Sequence, residues 1–312
     1  MRVLPKPRSE MTRSAGFLFD KILVKGYYPS VKITLVIPTY NERGNIQLII
    51  KALLDQFRTL HHEFQILIVD DKSPDGTWVV VVELQKSIQN LHLLLGNKQG
   101  LGSAYTRGFK YALDKLRSDV IVEMDADFSH QPSELPKLLK QIEKGADFVI
   151  GSRYIRGGKV PKNWHLFRKI NSRWGNRFAR YLAGIDDVYD CTSGFRAIRT
   201  QVLRKIDLDK LKVRGYSFQM NLLYKAYVLG AKITEVPIDF RERVVGYTKL
   251  GPSDIAEFMW NSVKLRFEQG WQGLDKRALR AAAKKTLSAG NKDFSRSEQT
   301  IPDEQVGDFP LG

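Results

Sequence analysis

At 312 residues, with 43% hydrophobic and 11% aromatic content, the chain suffices for one large domain or two small ones around a true core, which excludes a fibrous or wholly disordered polypeptide. A single cysteine, Cys191, excludes an internal disulfide framework and fits a reducing compartment. The formal net charge of +16 calls for an anionic partner, whether nucleic acid, membrane surface or phosphorylated substrate.

Residues 1–30 are basic and lack a sustained period, so they read as an arm, with a short helix predicted around 15–24. Phe17-Leu18-Phe19 is interrupted by Asp20 and Lys21, so no signal-peptide core forms. No stretch approaches the roughly 18 apolar residues of a spanning helix. The expectation is a cytoplasmic, non-spanning protein.

From residue 31 short apolar runs alternate with helical patterns. Strands are predicted at 32–38, 64–70, 91–95, 119–124 and 147–150, with helices at 45–57, 77–86, 103–116 and 133–143 between them. This alternation predicts a mostly parallel sheet covered on both faces, with ligands beyond the carboxyl ends of its strands. The second half is less regular: helices at 165–183 and 215–229, a late strand at 232–237 and an amphipathic helix at 254–267. Beyond about residue 270 the chain turns polar, and disorder is expected.

Three polar clusters fall at predicted strand ends: 38–42, 70–77 and 125–130. Their coincidence predicts one site assembled from separate loops. No G-x-G-x-x-G follows the first strand, Gly100-Leu101-Gly102 meets Tyr105 where a third glycine belongs, and there is no phosphate loop. NAD binding of the usual kind and ATP hydrolysis are therefore disfavoured. Asp125-Ala126-Asp127 supplies two carboxylates one residue apart, oxygen ligands suited to magnesium or manganese with a substrate diphosphate completing the shell. Asp71 suits a nucleobase edge or ribose hydroxyls, while Asp70, Ser73 and Asp75 also fit turn and cap chemistry. Tyr40 offers a stacking face and Glu42 an acceptor, though Pro38, Tyr40 and Glu42 also fit a plain strand-to-helix cap.

Between 153 and 180 nine basic residues occur with no acid: Arg153, Arg156, Lys159, Lys162, Arg168, Lys169, Arg173, Arg177 and Arg180. Like charges so close repel, which favours an anion-binding role over a merely solvated face. Trp164, Phe167, Trp174 and Phe178 interleave with them, suiting an anionic headgroup above an acyl boundary. Trp174 and Phe178, one helical turn apart, fit core packing equally well. Ile255, Phe258, Met259, Val263 and Phe267 follow helical spacing; docking on the parent domain and lying in a membrane interface both remain open.

The strings Val-Ile-Pro-Thr-Tyr-Asn-Glu ending at Glu42, Asp-Asp-Lys-Ser-Pro-Asp-Gly-Thr ending at Thr77, Glu-Met-Asp-Ala-Asp-Phe-Ser-His ending at His130 and Gly-Ser-Arg-Tyr ending at Tyr154 resemble the dolichol-phosphate (polyprenol-phosphate) mannose synthases of glycosyltransferase family 2. The resemblance runs from about residue 31 to 251. It implies a GT-A fold, Rossmann-like, as a single catalytic domain over 31–252. The amphipathic helix over 253–270 and a polar tail over 271–312 follow it. It also implies GDP-mannose as donor, a polyprenyl or dolichyl phosphate as acceptor, Mg2+ or Mn2+ as cofactor, and a peripheral position on the cytoplasmic face of a membrane.

By position, Pro38, Tyr40, Glu42, Val69 and Asp71 would hold the guanosine. Asp125, Ala126 and Asp127 would hold the diphosphate and mannose through metal, with Ser129 where some relatives carry a glutamine ligand. Arg153, Arg168 and Ser172 match acceptor-phosphate positions, and Asp127, Arg153 and Arg168 are the expected catalytic set. Arg243 and Lys249 match a late basic pair that closes over the donor. Tyr247-Thr248 departs from the acidic residue and serine common before that lysine.

No residue stands out as general base, and the implied acceptor needs none: a phosphate monoester has its second pKa at about 6 and is ionised near neutrality. Arginine grips such oxygens bidentately. Two other readings fit parts of the sequence. One keeps the lipid phosphate and exchanges the donor for UDP-glucose or another sugar nucleotide. The other is a basic nucleic-acid-binding module, disfavoured because three acidic strand-end clusters repel phosphate unless a metal intervenes. Whether a membrane subunit anchors the chain is open.

Overall fold

The computed structural model describes residues 30–161, 163–164, 166–185, 187–211, 215–242 and 252–268. The predicted helix at 15–24, the polar tail, Arg243 and Lys249 lie outside them.

The first half is a regular alternation: β1 (Lys32–Thr39), α1 (Arg43–Phe57), β2 (Glu63–Asp70), α2 (Thr77–Gln85), β3 (Leu91–Leu95), α3 (Leu101–Asp114), β4 (Val120–Glu123), α4 (Leu135–Glu143) and β5 (Phe148–Ser152). Then come α5 (Leu166–Ala183), β6 (Arg196–Arg199), the one-turn α6 (Thr200–Leu203), α7 (Gly215–Val228), β7 (Ile233–Pro237) and α8 (Pro252–Glu268). The strands form one seven-stranded sheet in the order β3-β2-β1-β4-β6-β5-β7. All neighbours run parallel except β6, which is antiparallel to β4 and to β5.

β1 and β2 are nearly continuous apolar runs because both faces of a parallel sheet are covered. Ile33, Leu35 and Ile37 face one layer with Ile46, Ile49 and Leu138; Val36, Leu67 and Val69 face the other with Phe109 and Phe218. Helix α3 lies close on the sheet at Gly108, where a Cβ would fall 2.5 Å from a Val36 methyl and 3.0 Å from one of Val69. Helix α8 docks on its own domain: Phe258 and Leu265 are buried in the core shared by α3 and α7. Among the described residues no helix is long and apolar enough to cross a membrane.

At the amino end of the sheet, His61, His62 and Glu143 cluster, with His62 Nε2 3.0 Å from Glu143. The Val31 N–H donates to His62 Nδ1 at 3.5 Å, which leaves the proton on Nε2 to be given to Glu143. That is a hydrogen-bonded corner tying α1–β2 to the end of α4.

Candidate active site

The loops after β1, β2 and β4 meet at the carboxyl edge of the sheet, since these three strands are neighbours. Each loop contains a non-glycine residue in the left-handed region: Asn41 (φ 61°), Lys72 (φ 51°) and Phe128 (φ 61°). Such conformations cost energy and tend to gather where the chain must be aimed. Here neighbouring groups hold them. The Asn41 N–H donates to Ser73 Oγ at 3.1 Å, the Glu42 N–H to Thr77 Oγ1 at 2.9 Å, and Gln131 Nε2 donates to the Phe128 carbonyl.

Asp70 is wholly buried and structural, accepting from Thr39 Oγ1 (2.8 Å), Ser73 N–H (2.7 Å) and Ser73 Oγ (2.6 Å). Asp75 accepts from the Thr77 N–H and hydroxyl at 2.9 and 2.6 Å. Burial pushes its carboxyl up, and these bonds with those from Arg43 outweigh that and hold it below the usual range. So Asp70, Ser73 and Asp75 build the turn and leave Asp71 at its tip. Tyr40 lies beneath the Lys98 ammonium, 3.8 Å above its ring centre. Glu42 accepts from Asn45 Nδ2 at 2.9 Å, and the Val69 side chain is sealed under α3.

At the end of β4, the Asp127 carboxylate accepts from the Ser129 N–H at 3.0 Å. His130, buried and stacked on Phe195, places Nδ1 3.7 Å from the Asp125 carboxylate. The Ser129 carbonyl accepts the Arg241 N–H at 3.0 Å, which brings the chain after β7 against this loop.

Two strands away, at the end of β5, Arg153 is only 7% exposed. Its Nε and Nη2 grip the buried Asp190 at 2.7 and 2.6 Å, and Nη2 also donates to Thr192 Oγ1 at 2.8 Å. Burial pushes the Asp190 carboxyl up, but the Arg153 charge and its hydrogen bonds override this and hold it below the usual range. Tyr154 bonds the Ser172 hydroxyl, so Ser172 on α5 faces the same corner. Arg168 lies on α5, its side chain outside the described residues. Of the aromatics singled out in sequence, Trp164 packs edge-on against Phe240, whereas Trp174 (63%) and Phe178 (42%) are exposed, so the core-packing alternative for that pair does not hold. The Arg177 guanidinium lies 5.9 Å from the Trp174 ring centre.

The profile of Glycosyl transferase family 2 matches residues 34–207, which spans β1 to the turn after α6. The chain belongs to glycosyltransferase family 2. A polyprenol monophosphomannose synthase of Mycolicibacterium smegmatis is 43% identical over 237 residues, 74% of this chain and 86% of the relative. An undecaprenyl-phosphate mannosyltransferase of Micrococcus luteus is 40% identical over 78% of this chain and 98% of its own length. Among solved structures, mannosyl-3-phosphoglycerate synthase of Rubrobacter xylanophilus superposes with a TM-score of 0.53 at 19% identity, covering 78% of this chain and 75% of that one. This likeness establishes the GT-A-like fold that the motifs implied.

The residues of this family 2 glycosyltransferase fit a hard divalent cation. Asp125 and Asp127 share one strand end, and the hydroxyl of Ser129, a residue 1% exposed, is a buried oxygen with no hydrogen-bond partner among the described residues. An orphaned buried hydroxyl is costly unless a ligand satisfies it. Three oxygens leave room for substrate oxygens to complete a shell.

Sequence reasoning did not find Arg107, Lys98, Asp190 or Arg196. Arg107 pairs with Asp71 from α3, and Arg196 lies 3.8 Å from Glu123, two residues before Asp125. Only the tertiary fold brings these together.

Proposed function

We propose that this glycosyltransferase moves mannose from GDP-mannose to a polyprenyl or dolichyl phosphate at a membrane surface, with inversion at the anomeric carbon. What carries the reading is one juxtaposition: an acidic oxygen cluster at the end of β4 beside a buried arginine corner at the end of β5. The first suits a sugar diphosphate, the second an anionic acceptor. The names of the relatives point to the same donor sugar and acceptor class.

Pro38, Tyr40, Glu42, Val69 and Asp71 form the nucleoside side, Val69 through its backbone. Asp125, Asp127 and Ser129 would hold Mg2+ or Mn2+, which when bound supplies charge neutralisation at the departing diphosphate. Arg153, Arg168 and Ser172 position the acceptor phosphate so that its oxygen attacks the mannose carbon in line. That oxygen is already ionised near neutral pH, so the protein orients and desolvates rather than deprotonates. Arg243 and Lys249 close over the donor. The exposed Trp174 and Phe178 with Arg173 and Arg177 face the bilayer surface.

The test offers labelled GDP-mannose or UDP-glucose, polyprenyl phosphate and either metal, and counts label in the organic phase. Incorporation from GDP-mannose is expected; incorporation from UDP-glucose alone overturns the donor. Asp127→Ala is expected to abolish turnover with the fold intact, and near-normal activity removes the metal assignment. Arg168→Ala is expected to raise the acceptor concentration required; an unchanged requirement removes Arg168 from the phosphate corner.

A further inference from the structure

We propose that Arg107 is a positioning residue of the nucleotide side: it fixes the Asp71 carboxylate, and Gly96 is glycine so that the guanidinium can seat there. The inference rests on the reading that Asp71 contacts the nucleoside.

Arg107 projects from α3, which is pinned to the sheet one residue later by the close approach at Gly108. Its Nη2 donates to Asp71 Oδ1, and its Nη1 donates to Ser103 Oγ at 3.1 Å, one turn back. Ser103 in turn donates to Gln99 Oε1 at 3.1 Å. The Asp71 side chain is 8% exposed and that of Arg107 26%, so the pair is shielded from bulk water and its attraction is little screened. With Oδ1 committed to Arg107, the plane of the carboxylate and the direction of Oδ2 are set before any ligand arrives.

Gly96 shows that the guanidinium position is built. Its N–H donates to the Asp70 carbonyl at 2.9 Å, which fixes it beside β2, next to the Asp71 turn. A Cβ on Gly96 would lie 2.6 Å from Arg107 Nε and closer still to its Cζ and Nη2. Any side chain there evicts the arginine. The cost falls on the flexible end of Arg107 rather than on backbone. The buried Nε of Arg107 has no hydrogen-bond partner among the described residues, so this seat is not the one that best satisfies the arginine by itself. An unpartnered buried donor is tolerated where the group does another job. That job is to hold Asp71.

The test compares Arg107→Gln, Arg107→Lys, Gly96→Ala and Asp71→Asn in the full chain. Two readouts are used: the Kd for GDP by calorimetry, and KM and kcat for the sugar nucleotide. Arg107→Gln and Gly96→Ala are each expected to weaken GDP binding and raise KM about tenfold, roughly the value of one charge-assisted hydrogen bond. In both, kcat at saturating nucleotide should fall far less. Arg107→Lys should recover part of the loss. Gly96→Ala leaves Arg107 itself intact, so it answers the question even where Arg107→Gln folds poorly. An unchanged GDP Kd in Gly96→Ala and Arg107→Gln, with Asp71→Asn impaired, overturns the inference and spares the reading of Asp71. Impairment in the Arg107 variants with Asp71→Asn unaffected makes Arg107 a direct contact and overturns positioning. Normal affinity in all four overturns the reading of Asp71 as well.

Discussion

Glu123 lies inside β4, two residues before the Asp125–Asp127 pair, and is fully buried. Burial pushes its carboxyl from the ordinary 4.5 up to about 7; the Arg196 charge and the Gln219 amide pull the other way and do not prevail. Among the described residues neither carboxylate oxygen meets hydrogen-bond geometry with a partner, and Arg196 Nε stands off at 3.8 Å. Because the folded-state value lies above the unfolded one, the folded protein holds this proton more tightly than the unfolded chain. The stability carried by neutral Glu123 is complete below about pH 4.5 and is lost as pH rises through about 7. The rise from 4.5 to about 7 corresponds to about 3 kcal/mol. Glu123→Gln keeps the shape and never ionises. Its stability relative to the parent should therefore rise by about 3 kcal/mol between pH 4.5 and pH 8. Urea unfolding of both proteins at pH 5, 6, 7 and 8 measures this directly, and melting temperatures should diverge by roughly 2–4 °C per kcal/mol. A stability difference that stays constant across this range would refute the reasoning, because it would mean that Glu123 does not change its charge within the fold.

Asp190→Asn should cost about 3–5 kcal/mol, since it leaves the Arg153 guanidinium buried without its counter-charge. As the Asp190 carboxyl is held below the usual range, the parent should lose this contribution on the acid side, as pH falls through the lowered value; a variant with the parent's acid-unfolding midpoint would contradict this. Burial, then the Asp190 charge, push the Cys191 thiol up to about 12, so the native protein at pH 8 should not react with a chromogenic disulfide, and one thiol should appear on unfolding. Gly108→Ala should lower stability by about 1–3 kcal/mol by overpacking α3 on Val36 and Val69, measured by urea unfolding.

The half of the chain up to residue 152 was legible because β1, β2, β4 and β5 are buried on both faces and α3 and α4 are amphipathic, so their periods stand out. Boundaries moved by only a residue or two; the predicted helix at 133–143, for example, opens with a short 3-10 turn at Pro132–Glu134. The strand-end aspartates were legible for a related reason, since carboxylates that close an apolar run either hold a turn, as Asp70 does, or stand ready for a ligand. β6 was missed. Its four residues, Arg-Ala-Ile-Arg, begin and end with charge and read as surface loop. In the structure Arg196 is fully buried, with Nη1 donating to the Gln219 carbonyl at 2.7 Å and Nη2 to the Cys191 carbonyl at 2.8 Å. Its satisfaction depends on partners 5 and 23 residues away, which no local period reveals. The basic run after Arg153 was visible as charge, but the partition of its members was not. Arg153 points inward to Asp190, whereas Arg177 lies over an exposed tryptophan.

That missed strand is what joins the two halves of the site. β6 lies between β4, which ends in the aspartate pair, and β5, which ends in Arg153. Arg196 faces Glu123 on the first side and holds the Cys191 carbonyl, next to Asp190, on the second. Asp190 grips Arg153, and Asn176 on α5 accepts the Cys191 N–H at 2.9 Å. A cation locked in the sheet thus stands between the strand that ends in the Asp125–Asp127 pair and the loop that holds Arg153. Because β6 runs antiparallel, its amino end, not its carboxyl end, meets the edge where the loops after β4 and β5 lie. The loop before it, Asp190 to Phe195, is thereby aimed into the site, with Gly194 bare against Asp125: a Cβ there would sit 3.6 Å from that carboxylate. A parallel strand in this place would send that loop to the far end of the sheet and leave Arg153 without its counter-ion. The reversal of one short strand is what allows the acidic and basic corners of the site to be held in register.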